Sequence, residues 1–530
     1  MTNAEVNRVR RDLTAMIVGR VLEAGDQGYS DALSIDNGRV SLKPFLVAKP
    51  ANTDDVSKIV AYCHDRDVPM TTKAGGHSAA GYCLNGDGVV LDLGDINQIQ
   101  LLNEDGKELK DATKVEEGTV LSVGAGTRWI SAYDFLRDRQ SPYTVIGGGC
   151  AGVGVAGFTL GGGYSFISRS FGLGCDNVKG MEFVSTCGNV FELKDKLFDK
   201  NDKRVDADKR DLFRALRGGG GGNFGVVTRI DLHLLKTNVP RLTMGQIDFP
   251  FYRIDEILPF YNEWVKTLPK EMAVYGMMRN FPNQRLGGNL SLGLRFTPVF
   301  NGRFSDAVDL LKPLMRLKAK DLKRNDIEPT DIELYTMTLP EWEDFVGTST
   351  QVRGHSAYIR SLVLAQGTLN REVVKICQYY LGRAVSPDSY IVWTHTGGEI
   401  SKHGSDTSSY AHRDGAFTFE LKSEWDSAQP IQARPNIEWA VDFFDALGEH
   451  SQGAYINYID PLLLDWQKNY YRDEYAKLEK VQERWNADGW LTFQQSIGSS
   501  YHTAPRKKPR TDPVDLSPLS RTTLPAKGNF

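Results

Sequence analysis

No run of apolar residues in this 530-residue chain approaches the roughly 20 needed to span a bilayer, so no transmembrane anchor is expected. The first 25 residues, "MTNAEVNRVRRDLTAMIVGRVLEAG", carry charges on both sides of a short apolar run and have no cleavage-type core. They read as an amphipathic helix rather than a signal peptide, and a cytoplasmic location is expected. The six cysteines, Cys63, Cys83, Cys150, Cys175, Cys187 and Cys377, never fall in a CxxC pair. That spacing argues against a zinc site and, at this length, against a disulfide framework, so no metal is expected. With 63 basic and 67 acidic residues the formal net charge is -4, which gives no footprint for nucleic acid. A Walker A phosphate loop and internal repeats are also missing.

The chain instead has the balance of a globular enzyme, 41% hydrophobic and 25% charged, and enough length for two substantial domains. From Pro44 to about Leu235 it is dense in glycine and short β-rich runs such as "GVVLDLGDI", "TVLSVGAGT" and "GVVTRIDLHLL", with a helical patch in "TDDVSKIVAYCHDRD". From about Thr237 to Gly453 longer helical patterns ("SDAVDLLKPLMRLKAK", "NIEWAVDFFDALGEH") alternate with strands ("NLSLGLRFTPVF", "SYIVWTHTGGEI", "AFTFELKSEW"). The expected organisation is α+β: a first domain with many tight backbone approaches over 1–236, an inserted antiparallel sheet covered by helices over 237–453, a segment 454–500 returning to the first domain, and an extended tail 501–530. The tail holds "RKKPR" and reads as solvated or surface-clinging, with a nuclear signal as the competing reading.

One stretch clears almost all bulk away from a single imidazole. In "TTKAGGHSAAGYC", Gly75 and Gly76 expose adjacent backbone N–H groups immediately before His77, the means by which a backbone approaches a phosphate. Two further runs, "GGGCAG" from Gly147 and "GGGGNFG" from Gly219, satisfy GxGxxG on paper. Neither has the strand-then-helix context of a dinucleotide fingerprint, because the first runs into more glycine and the second directly into a strand. So many glycines in one domain point to a long cofactor threaded along the backbone.

Taken together, "KAGGHS", "GGGCAGVGVAGFTLGGGYSFISRSFGLGCDNV" and "RALRGGGGGNFGVVT" resemble the berberine-bridge-enzyme-like branch of the vanillyl-alcohol-oxidase flavoproteins, whose FAD domain is of the PCMH type. "THTGGEIS", "AHRDG", "AYINYIDPLLLDW" and "FQQSI" extend the resemblance, in order, to about residue 500. It implies FAD held by two covalent bonds, from His77 to the 8α-methyl and from Cys150 to C6. By position, Lys73, Ala74, Gly75, Gly76, Ser78, Val153, Gly154, Gly157, Gly162, Tyr455 and Asn457 would line the cofactor. From the residues alone, His77 could equally be a hydrogen-bonded loop histidine and Cys150 a small buried residue. Cys83 is the nearest competitor for the second bond.

The same resemblance implies catalysis by Tyr458, with Glu420 lining the substrate cavity and Tyr164 near the flavin. A phenol with pKa near 10 must be shifted down to act as a base at neutral pH. Strand alternation makes Tyr455, Asn457 and Asp460 partial candidates for that tuning. On a strand, Glu420, Lys422 and Glu424 share one face, so a solvated charged face competes with a cavity wall. Val153 matches a gatekeeper whose small size goes with oxidases, giving O2 as acceptor and hydrogen peroxide as product. Phe158 departs from the family's histidine and cannot donate a hydrogen bond to a reduced flavin. The expected activity is oxidation of a hydroxyl on a sugar, an oligosaccharide or an aromatic or secondary-metabolite alcohol, to a carbonyl or lactone. Oxidative cyclisation or desaturation of a natural product is the alternative, and a non-catalytic flavin-binding protein of the same fold the outlier. Trp264, Trp342 and Trp393 would suit stacking on such a substrate, although each also reads as core. No nucleic-acid or membrane partner is expected, and the chain should be a monomer or homodimer.

Overall fold

The computed structural model describes residues 1–499 apart from 112–114, 117, 140, 142, 195–204, 283–288, 324–331 and 347–354. The tail singled out above therefore lies outside the described residues. No helix among those described is long and apolar enough to cross a membrane, and they contain no cluster of His, Cys, Asp or Glu able to hold a metal ion.

Near the N-terminus a four-stranded sheet runs in the order Arg20–Leu22, Leu46–Lys49, Val89–Asp92, Met70–Lys73, the last three parallel. The helix Thr53–Asp65 links two of the parallel strands. It starts where the Asn52 side chain accepts the Asp55 N–H, and it buries Val56, Ile59, Val60 and Cys63 on one face. A second sheet, wholly antiparallel, takes the order Ile99–Leu102, Val120–Gly124, Gly225–His233, Val178–Ser185, Val190–Lys194. Both sheets share one hydrophobic core with the returning segment from Ala454 to Ile497.

A nine-stranded antiparallel sheet forms the rest. Its central strands are Leu290–Phe300, Met272–Pro282, Tyr390–His395, Phe417–Asp426 and His355–Leu364. One face carries Met278, Ile391, Trp393, Phe419 and Leu421, packed with the helices Ile254–Trp264, Phe304–Asp321, Arg371–Leu381 and Ala433–Gly448 into a second core. The strand period of two sends Thr418, Glu420, Lys422 and Glu424 to the opposite face. The architecture is thus mixed helices and antiparallel sheets, with one sheet face apolar and covered and the other polar.

The two units are pinned together by polar groups. Buried Arg169 donates to the carbonyls of Met272 at 2.7 Å and of Thr396, and the Tyr275 hydroxyl donates to Ser165 O at 2.6 Å. Further along, buried Asp460 accepts from Arg360 Nε at 2.5 Å and from the Tyr358 hydroxyl, fastening the returning segment to the large sheet. A buried pair of this kind costs little while complete and much when one partner is removed.

Close packing of the sheet against the helical layer yields a stability prediction. A Cβ added at Gly276 would stand 1.9 Å from Trp393 Cζ2, in a core where that indole is fully buried. Gly276→Ala should destabilise the fold by about 1–3 kcal/mol through overpacking, seen as a lower denaturation midpoint. An unchanged midpoint would mean that the indole can move aside at no cost.

Candidate functional site

The site begins where the strand Met70–Lys73 ends. Lys73 is buried beneath the turn with Nζ 3.4 Å from Asp92 Oδ1, and Gly76 adopts φ 75°, a conformation that favours glycine. Gly75 and Gly76 are themselves buried, and among the described residues their N–H groups find no protein acceptor. A buried backbone donor without a partner is rare, so this turn is built for an external acceptor. Its fit to the next glycine segment is equally specific: a Cβ on Gly75 would lie 2.4 Å from Gly154 N, and one on Gly154 would lie 2.6 Å from Gly75 N.

That backbone contact brings His77 to the turn containing Cys150. The imidazole interacts with the Gly152 carbonyl, and its Nδ1 lies 3.9 Å from Asp36 Oδ2. Burial lowers its pKa from the ordinary value, Asp36 opposes that shift, and Arg128 and Lys422 add to it, so the ring is neutral at neutral pH. Cys150 is half-buried in a turn closed by Val153 N–H on its carbonyl at 3.1 Å, and half-buried Val153 packs against the first core. The helix Val155–Leu160 follows. Gly157 is its one exposed residue, with nothing within 4 Å of an added Cβ. The hydroxyls of Thr127 and Thr159 are buried without a partner, and Thr127 also lines a cavity of about 640 Å³ with Lys73, Ala74, Gly126 and Arg128. Unsatisfied donors on a glycine turn, orphaned hydroxyls and adjacent basic side chains fit a polar, anionic cofactor of FAD's kind.

Opposite this loop stands the polar face of the large sheet. Glu420 accepts the Tyr458 hydroxyl, and the Tyr390 hydroxyl reaches Glu420 Oε1 at 3.5 Å. Lys422, its side chain only 17% exposed, pairs with Glu424 at 2.7 Å. The charged face is thus turned inward rather than solvated. Burial raises the pKa of Glu420, and Lys422 works against that rise. Burial and the neighbouring Glu420 charge push Tyr458 well above 10. The expected downward tuning of Tyr458 is therefore not found: its nearest charge is a carboxylate, and Asp460 is spent on Arg360 and Tyr358. Strand alternation does not apply either, because Ile456–Tyr458 is a single 3-10 turn.

Other expected site residues hold the frame. Tyr455 accepts Gly163 N–H at 2.8 Å, and Asn457 donates to Phe158 O at 3.0 Å and to Tyr455 at 2.9 Å. Tyr164 bonds Thr418 Oγ1 at 2.8 Å and the Tyr410 hydroxyl, so it reaches the same sheet face as Glu420. Gly162, φ 121°, lies against Tyr410 and Tyr455, and Ser78 Oγ accepts Tyr82 N–H. Phe158 is an interior packing residue, edge-on to Trp129 at 5.0 Å. Trp264, Trp342 and Trp393 are all buried core, the second of the two readings given for them. Cys83 packs in the cluster around Leu84 and Val90, its thiol pushed by burial to about 11. Sequence reasoning missed Asp36, Tyr390 and Tyr410. Only Tyr410 carried a local signal, two residues before His412 in the "AHRDG" motif.

Fold and site together define a flavin-dependent oxidoreductase. Family models for the FAD binding domain and for the berberine and berberine-like segment match residues 44–194 and 454–498. Glucooligosaccharide oxidase of Sarocladium strictum is 25% identical over 88% of this chain and 89% of its own length. An uncharacterized FAD-linked oxidoreductase of Bacillus subtilis is 24% identical over 92% and 99%. The berberine bridge enzyme structure from Eschscholzia californica superposes with a TM-score of 0.76 at 17% identity, covering 94% of this chain and 100% of that one. The chain therefore carries an FAD binding domain and a berberine-like segment, and over most of its length it is similar to berberine-bridge-enzyme-like and oligosaccharide-oxidising flavoproteins.

His412 packs edge-on to Tyr410, with ring centroids 6.1 Å apart. Its Nε2 meets Asn469 O at 2.8 Å, Nδ1 is buried without a partner, and burial pushes its pKa down to about 4. The folded value lies below the unfolded value of about 6.5, so on acidification the unfolded chain takes up the proton first. Stability from this group is complete above pH 6.5 and falls toward pH 4, by about 3 kcal/mol in all. A His412→Gln variant should show a shallower decline in denaturation midpoint between pH 7 and 5; parallel declines would show that His412 does not resist protonation.

Proposed function

We propose that this protein is an oxidase that holds FAD by covalent bonds from His77 and Cys150 and oxidises a hydroxyl group to a carbonyl or lactone. The observation that carries the reading is the buried Tyr458 phenol set against the buried Glu420 carboxylate on the sheet face whose Lys422 acts on His77. Support for a hydroxyl substrate comes from glucooligosaccharide and xylooligosaccharide oxidases, each similar to this chain over at least 87% of it. FAD held by His77 and Cys150 would supply the hydride acceptor, with O2 as the final oxidant and hydrogen peroxide as its product. The protein's part is the proton. Substrate O–H gives its proton to the Tyr458 oxygen as Tyr458 passes its own to Glu420, so no isolated phenolate forms. Lys422 keeps Glu420 ionised and able to accept. Small Val153, three residues after Cys150, leaves room for O2 near the ring.

Two experiments test this reading. If both bonds exist, acid-precipitated protein stays yellow, and only the double substitution His77→Ala, Cys150→Ala releases free FAD. Complete release from unmodified protein would refute the tether.

For the proton relay, Tyr458→Phe keeps the edge-on contact with Tyr455 at 5.3 Å, so stability should hardly change. Flavin reduction measured by stopped flow should slow by a factor of ~10² to 10⁴. Glu420→Gln should slow it comparably and also remove the acid limb of the pH profile. That limb should sit above the ordinary carboxylate range, because buried Glu420 loses its charge early as pH falls. Reduction within a few-fold of the parent in both variants would remove the pair from the mechanism.

A further inference from the structure

The strand register sets the polar sheet face out in rows. Met277, Val392 and Glu420 are successive cross-strand neighbours. Two residues further along, Tyr390 pairs with Lys422, and Arg279 lies two residues beyond Met277 on the adjoining strand, on the same face as Glu420 because side chains alternate. Both cations approach one ring: Arg279 Cζ is 5.6 Å and Lys422 Nζ 5.7 Å from the Tyr390 centroid. The Tyr390 hydroxyl points back to Glu420. A path from the reacting pair to Arg279 is therefore one tyrosine side chain long.

The two cations differ in what already neutralises them. Lys422 is engaged by Glu424, and Arg295, the next cation on this face, is bidentate on Asp248 at 2.6 and 2.7 Å. Arg279, half-buried, makes no ion pair among the described residues. The sequence joining its strand to the next, residues 283–289, contains Arg285 and no carboxylate. Neighbouring carboxylates are committed elsewhere, so a planar guanidinium with no carboxylate partner among the described residues is held over the aromatic ring that reaches Glu420.

We propose that Arg279 is a specificity residue that binds a carboxylate on the substrate, making the preferred substrate a hydroxylated acid, such as a uronic-acid sugar or an aromatic acid carrying an alcohol. Tyr390 spaces the carboxylate from the hydroxyl presented to Tyr458 and Glu420. This deepens the oxidase reading and rests on it for the position of the oxidised carbon, but not for anion binding itself.

Binding can be read without turnover. The holoenzyme is titrated with benzoate against benzamide and with D-glucuronate against D-glucose, following the flavin absorbance and, independently, heat of binding. The carboxylate of each pair should bind at least tenfold more tightly. Arg279→Gln should bring the two within about twofold, and Arg279→Lys should keep part of the preference. Equal binding within each pair, or a preference unchanged in Arg279→Gln, would overturn the proposal; should the glutamine variant not fold, Arg279→Met, equally uncharged, decides on the same terms. With turnover substrates, Arg279→Gln should raise KM for an acidic alcohol about tenfold and leave KM for its neutral counterpart and both kcat values nearly unchanged. Carboxylate binding that depends on Arg279, with no alcohol reducing the flavin, would sink the oxidase reading alone.

Discussion

The contact between Gly75 and Gly154 governs the rest of the site. No side chain can stand between the two backbones, since an added Cβ on either would lie 2.4 to 2.6 Å from a backbone nitrogen of the other. One partner ends a parallel βα unit and the other starts the helix Val155–Leu160, so the contact fixes the distance between the turn carrying His77 and the turn carrying Cys150. It also leaves the Gly75 and Gly76 N–H groups pointing at something other than protein. A chain that spends two adjacent buried donors this way gives up stability for a ligand, and recovers it only when the cofactor is present.

Bringing Tyr458 to this point requires a second set of constraints. The 3-10 turn Ile456–Tyr458 has no regular ladder to hold it. It is held from both sides instead: Asn457 grips the end of the Val155–Leu160 helix at Phe158 O, and Asp460 is buried against Arg360 of the large sheet. A residue anchored to both cores cannot drift when either relaxes. That is the physical use of a segment that leaves one core, traverses another and returns.

Much of the frame was legible in the sequence. The Gly-Gly-His turn, the parity that puts Glu420, Lys422 and Glu424 on one face, and the helix begun by Asn52 all follow from local rules. Other features depend on partners distant in sequence. Nothing around residue 390 tells that Tyr390 stands between Arg279 and Lys422, because that requires the register of three strands. The three-residue turn at Tyr458 is too short to show a period, so alternation was the wrong rule there. Trp393 read both as core and as a stacking surface because an indole on an alternating strand gives no sign of which face is covered; Gly276 on the next strand, with no side chain, is what lets it into the core.

The direction of the Tyr458 shift bears on how such a site can work at all. Burial raises both Tyr458 and Glu420, so each disfavours carrying a charge alone. A tyrosine raised in this way is a poor base if it must first ionise. Hydrogen-bonded to a carboxylate it need not ionise, because proton gain from substrate and proton loss to Glu420 occur on the same oxygen. In the proposed relay, negative charge would leave Glu420 and a buried carboxylate would be neutralised in the process. Burial, which opposes ionisation of the phenol, thereby favours the proton's arrival on Glu420, and the same desolvation that weakens each group singly drives the pair in the required direction.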